Sequence, residues 1–263
     1  MQISDSTVLL TGATGGLGHT IARVLHGRGA RLILTGRRAD VLEPLAAEFG
    51  ARALAVDLSR PAEVDLLVAE AGEVDILVAN AALPGSGRLE SFTMEEIDRA
   101  LDVNLRAPIA LAHALVPGMV RRGRGHLSFM SSLSGKSPSP QTSIYNATKF
   151  GLRGFAGALR ADLREEGVEV SAVFPGFIRE AGMFSDSGTE LPPGVGTRSP
   201  QDVADAVVKA IERNRGEIDV APLPLRLGAA FSGLAPELAA TASRKMGAHK
   251  IASDLAAGST DKR

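Results

Sequence analysis

The chain has no cysteine, no tryptophan, a single tyrosine and a formal net charge of only −1. Without Cys there is no disulfide and no thiolate metal site, so no metal is expected and a reducing compartment fits. With Arg and Glu intermixed and nearly balanced, the molecule has no global field for nucleic acid or an anionic membrane. Small molecules are the expected partners. No uninterrupted apolar run approaches the roughly 20 residues of a membrane-spanning helix. The opening "MQISDSTVLLTG" enters a strand-like segment without the basic region and apolar stretch of a signal peptide, so cytoplasm is the expected location.

The 263 residues suit one large α/β domain, at about 150 residues per domain as a starting measure. Short runs rich in Val, Ile and Leu alternate with segments of helical period, the pattern of β-α-β units around a parallel sheet. Strands are expected at 7–10, 31–35, 52–56, 75–79, 126–130, 169–174 and 217–221. Helices are expected near 17–28, 40–48, 61–71, 93–120, 143–166 and 200–213, the last opened by the capping pattern Ser199, Pro200, Asp202. Residues 178–198 read as a long loop, a common form of lid. Residues 1–221 form the expected dinucleotide-binding and catalytic domain. Residues 222–263 form an extension that serves as a lid or an oligomer contact, with 258–263 a frayed end.

Directly after the first strand comes "TGATGGLG", Thr11 to Gly18, opening a helix. Glycines here permit a tight turn and let free N–H groups at a helix N-terminus approach a pyrophosphate. Two spacings are present, Gly12-Gly16-Gly18 and Gly12-Gly15-Gly18. After the second strand, Gly36 offers no carboxylate for a ribose 2′-hydroxyl, while Arg37 and Arg38 can grip a 2′-phosphate by paired hydrogen bonds. NADP(H) is therefore favoured over NAD(H). Asp57 ends the third strand, either as an acceptor for an adenine amino group or as a turn residue.

The lone tyrosine sits in "SIYNATKF", with Lys149 four positions after Tyr145. On a helix that spacing places both side chains on one face. A phenol with a pKa near about 10 can be lowered by a close cation, whereas burial acts the other way. So tuned, it can give a proton to a carbonyl oxygen or take one from an alcohol.

The ordered set "TGATGGLG", "ANAA" (79–82), "VNL" (103–105), "MSSLSG" (130–135), "YNATK" (145–149) and "FPGFI" (174–178) resembles the classical short-chain dehydrogenase/reductases from about residue 5 to about 221. The resemblance selects Gly12, Gly16 and Gly18. It implies that Tyr145 is the acid/base and that Lys149 depresses its pKa and holds the nicotinamide ribose. It further implies that Ser132 hydrogen-bonds the substrate oxygen and that Asn104 anchors a proton-supplying water. Implied cofactor contacts are Gly12, Thr14, Gly16, Leu17, Gly18, Arg37, Arg38, Asp57, Leu58, Asn80, Ala81, Tyr145, Lys149, Pro175, Gly176 and Ile178. The chain departs from the family pattern at Ala79 and Ala82, and at Glu180, where a Thr is usual. Glu180 either accepts from the carboxamide or pairs with Arg179.

The expected fold is thus a single-domain, Rossmann-type, doubly wound parallel α/β sheet of about seven strands with helices on both faces. The expected function is NADP(H)-dependent interconversion of a carbonyl compound and an alcohol by a homodimer or homotetramer. Phe177, Ile178, Met183, Phe184, Leu133 and Pro138 suggest a lipophilic substrate. Two rival readings are an NAD(H)-dependent alcohol or hydroxysteroid dehydrogenase and a non-catalytic NADP(H)-sensing regulatory protein.

Overall fold

In the computed structural model, which describes residues 1–189, 191, 195–245 and 248–258, seven parallel strands form one sheet in the order β3-β2-β1-β4-β5-β6-β7. The strands are β1 (Thr7–Thr11), β2 (Arg31–Gly36), β3 (Arg52–Ala55), β4 (Ile76–Ala79), β5 (Gly125–Met130), β6 (Val168–Pro175) and β7 (Glu217–Val220). Parallel strands need crossovers, and these are the helices α1 (Gly16–Gly27), α2 (Ala39–Glu48), α3 (Pro61–Ala71), α4 (Met94–Leu101), α5 (Ala107–Arg122), α6 (Ser143–Asp162), α7 (Met183–Asp186) and α8 (Pro200–Glu212). Successive strand residues face opposite sides, so each strand feeds two cores. Val8, Leu10, Ile76 and Val78 join the core that includes Ile21, Leu25, Val203 and Val207, while Leu9, Leu77 and Ala79 join Leu111, Leu115 and Leu152. Burial on both faces is why these strands read as unbroken apolar runs.

The expected α8 start is present: the Ser199 hydroxyl accepts from the Asp202 N–H at 3.1 Å and the Asp202 carboxylate accepts from the Ser199 N–H at 2.8 Å. The single helix expected over 93–120 is instead α4, a π-helical turn at Asp102–Arg106, and α5. Pro108 has no N–H to continue the α-helical ladder, which fits a widened turn just before it. The continuous stretch Met94–Arg122 is long and apolar enough to cross a membrane by length and composition. Here its Leu111, Ala112, Leu115 and Met119 are buried in the core.

Three helices unforeseen in the sequence follow β7: α9 (Leu223–Leu234), α10 (Pro236–Lys245) and α11 (Ala248–Ala257). The loop expected over 178–198 holds the one-turn α7 and is pinned at its ends by a bridge between Ile178 and Arg198. Beyond Gly258, the expected frayed end lies outside the described residues.

Candidate active site

Strand order reverses between β1 and β4, and at such a switch point the loops beyond the strand ends part to leave a crevice. A cleft of ≈ 780 Å³ opens there. Its floor is the glycine turn between β1 and α1. Gly12 has φ +67, and a Cβ on it would lie 2.8 Å from the Ala81 Cα. A Cβ on Gly18 would lie 2.1 Å from the Gly12 carbonyl oxygen, and one on Gly16 would lie 2.6 Å from the Ala181 Cβ. Gly15 meets only the Gly12 oxygen at 3.5 Å, so packing requires the Gly12-Gly16-Gly18 set. Asn80 braces this turn, its Nδ2 donating to the Thr11 carbonyl at 3.0 Å, while the N–H groups of Asn80 and Ala81 both donate to the Thr11 hydroxyl. The bare backbone left exposed is a cradle suited to a pyrophosphate.

Under β2 and β3 lie Gly36, Arg37, Arg38, Asp57 and Leu58, all lining the cleft. Arg37 and Arg38 are exposed, and Arg38 Nη2 donates to the Thr14 carbonyl at 3.3 Å. A Cβ on Gly36 would stand 2.9 Å from the Thr14 hydroxyl oxygen, leaving little space for an acidic side chain. Asp57 lines the cleft, and its turn role is seen directly: Oδ1 accepts from the Ser59 N–H at 3.0 Å and hydroxyl at 2.8 Å. Burial alone would raise its pKa, but the Ser59 hydrogen bonds and the Arg99 and Arg37 guanidiniums hold it below the usual carboxylate value.

At the other end, β5 delivers Ser132 and the first turns of α6 deliver Tyr145 and Lys149 to the same cleft. The Ser132 hydroxyl is fixed by the Ser134 N–H at 3.1 Å and the Pro175 carbonyl at 3.4 Å. Lys149 is 1% exposed, with Nζ donating to the Met130 carbonyl at 2.9 Å and lying 5.5 Å from the Tyr145 ring centre. The two residues meet as the spacing predicts, but the expected lowering of the phenol is corrected. Burial pushes Tyr145 up to about 12, and a hydrogen bond with Ser132 offsets only part of this. Burial also depresses Lys149 to about 8, so the cation that should favour a phenolate is itself disfavoured in the apolar interior.

Asn104 lies behind the cleft wall, in the π-helical turn. It is 1% exposed and does not line the cleft; Oδ1 accepts from the Leu83 N–H at 2.6 Å and Nδ2 donates to the Leu83 carbonyl at 2.9 Å. Its side chain holds the cleft wall through Leu83. Glu180 pairs with Arg179 at 2.8 Å, one of its two expected roles, and is not among the residues lining the cleft. Thr14, Leu17, Pro175, Gly176, Ile178 and the remaining cofactor candidates all line the cleft. Sequence reasoning missed Thr142, Asp186 and Leu255. Leu255 arrives from α11, where no motif marks it.

A family model described as short chain dehydrogenase matches residues 6–191. The chain belongs to the short-chain dehydrogenase/reductase family. As such it is an oxidoreductase acting on CH–OH groups with NAD(P). It is 33% identical over 259 residues to Dehydrogenase/reductase SDR family member 7B of Bos taurus, covering 90% of this chain and 79% of the relative. It is 34% identical over 232 residues to Ketoacyl reductase HetN of Nostoc sp. (strain PCC 7120), covering 85% and 81%. Among solved structures, a short-chain dehydrogenase from Sphingobium yanoikuyae in complex with NADPH superposes with a TM-score of 0.77 at 30% identity, covering 90% of this chain and 95% of that one. The short-chain dehydrogenase match ends at residue 191, so α9, α10 and α11 lie beyond it.

Proposed function

We propose that the protein reduces a ketone or aldehyde to an alcohol with NADPH, with Tyr145 as the proton donor. The observation that carries this is the convergence of Ser132, Tyr145 and Lys149 on one cleft with a glycine cradle and two exposed arginines. Gly12, Gly16, Gly18 and Asn80 would shape the pyrophosphate site, Arg37 and Arg38 would take the 2′-phosphate, and Lys149 would hold the nicotinamide ribose. When bound, the nicotinamide supplies the hydride.

The protein's own part is proton chemistry. With its pKa pushed up to about 12, Tyr145 keeps its proton throughout the neutral range. It gives that proton from Oη to the carbonyl oxygen as negative charge develops there, and the Ser132 hydroxyl donates a hydrogen bond to the same oxygen. Lys149 is the cation nearest the phenolate left behind. A phenol that holds its proton favours reduction; oxidation would first require it to ionise.

NADP(H) is favoured by the lack of room for an acidic side chain at Gly36 and by Arg37 and Arg38, and the NADPH complex of the Sphingobium protein adds support. The test is NADPH oxidation over a panel of aldehydes, steroids, quinones and acyl thioesters. Turnover of at least one class, abolished in Tyr145→Phe, is expected. Thermal protection by NADPH with no turnover across the panel would instead indicate a nucleotide sensor.

A further inference from the structure

The C-terminal helices have no role in the chemistry just described, yet one of them reaches the cleft. Ala252 and Ala256 of α11 are 4% and 8% exposed, and Leu255 shares their helical face and lines the cleft. The end of α11 abuts the lid, since a Cβ on Gly258 would lie 2.3 Å from the Ser187 carbonyl oxygen just past α7. From α7, Met183 and Phe184 line the same cleft as Leu255, and the Phe184 ring stands 5.1 Å from that of Phe177. Phe177 lies two residues beyond Pro175, whose carbonyl holds the Ser132 hydroxyl. The wall is thus continuous from the catalytic serine through the lid to α11.

Among the described lining residues, the ionisable side chains are Arg37, Arg38 and Asp57 at the β2–β3 end, Tyr145 and Lys149 at the catalytic centre, and Asp186 on α7. Among these residues the α7 end presents apolar side chains and one carboxylate, Asp186.

We infer that α11 is the outer wall of the substrate end of the cleft and that Leu255 limits the apolar substituent of the carbonyl substrate. This rests on the reductase reading above. Each methylene buried against such a wall raises kcat/KM about fourfold until the wall is reached. Leu255 then sets where the gain stops.

The test is kcat/KM with saturating NADPH along the straight-chain 2-alkanones, for wild type, Leu255→Ala and Leu255→Phe in the full chain. The limiting chain length is expected to move out by about one or two carbons in Leu255→Ala and inward in Leu255→Phe, given the roughly 0.8 kcal/mol weight of a methylene. KM for NADPH stays within about twofold, as for a residue that does not touch the cofactor. Opposite shifts cannot arise from a general loosening of α11. The same limit in all three proteins, or a changed KM for NADPH with the limit unmoved, overturns the assignment. A second readout does not need turnover: binding of prodan, an uncharged fluorescent naphthyl ketone, with NADP⁺ present. If neither the alkanones nor the aldehyde, steroid, quinone and thioester panel reacts but prodan affinity falls at least about threefold in Leu255→Ala, the reductase reading fails and the wall stands. If prodan binds all three proteins alike, the wall fails too.

Discussion

Asn104 grips Leu83 by both ends of its amide, accepting from its N–H at 2.6 Å and donating to its carbonyl at 2.9 Å. Leu83 is 7% exposed and lines the cleft, so a helix side chain fixes the wall opposite the lid. Asn104→Ala strands both buried backbone groups, at a cost of about 1–3 kcal/mol. At roughly 2–4 °C per kcal/mol for a chain of this size, differential scanning fluorimetry is expected to show a drop of several degrees. Substrate KM should rise with it. An unchanged melting temperature would mean the clamp holds nothing.

The single tyrosine can be titrated alone. In the cofactor-free protein, ultraviolet absorbance is expected to give a phenol midpoint well above that of free tyrosine, toward about 12. A raised folded-state value stabilises the fold fully below the unfolded pKa of about 10, and that contribution is lost as pH rises through the folded value. A midpoint under that of free tyrosine would show Lys149 outweighing burial.

Lys149→Met should abolish turnover yet raise the melting temperature at pH 7. The fold holds this lysine near about 8, so below that pH it carries a buried charge at a cost on the order of a few kcal/mol. The sign follows from linkage. A depressed folded pKa lets the unfolded chain bind more protons between the two values, so wild-type stability climbs from about pH 8 to the unfolded lysine value near about 10.4. The advantage of the methionine variant should shrink over that window. A constant difference across it would refute the buried-charge account.

For the cofactor, the double variant Arg37→Ala, Arg38→Ala is expected to lose roughly ten- to a hundredfold in kcat/KM with NADPH, with NADH nearly unaffected. Equal losses with both cofactors would remove the arginines from the 2′-phosphate site.

The sheet was legible because buried parallel strands are apolar on both faces: all seven strands and helices α1, α2, α3, α6 and α8 fall within a few residues of their expected places, while the helix expected over 93–120 divides into α4, a π-helical turn and α5. Site residues at strand ends were equally readable, because Gly12, Asn80 and Ser132 act where the chain turns. Less visible was whatever depends on tertiary surroundings. Nothing local says that burial outweighs Lys149 at the Tyr145 phenol, or that the Asn104 amide reaches Leu83. Pro224 and Pro236 each sit in the first turn of a helix, where the missing N–H has no consequence, so they do not mark where helices stop.

Gly16 and Ala181 offer a reciprocal test of the lid. Gly16→Ala drives its Cβ to 2.6 Å from the Ala181 Cβ and is expected to lower the cofactor-free melting temperature. Ala181→Gly in the same chain should restore most of the loss, a coupling that a double-mutant cycle measures directly. Simple additivity would show that the two do not meet.

No such partner exists deeper in the turn. Around Gly12 and Gly18 the nearest atoms are backbone, the Ala81 Cα and the Gly12 carbonyl oxygen, which no neighbouring substitution can trim away. Evolution and protein engineering alike are therefore confined to renovating the roof of this enzyme. Its repertoire can diversify through the movable pieces around Ala181, Phe184 and Leu255, while the foundation beneath the dinucleotide stays closed to revision.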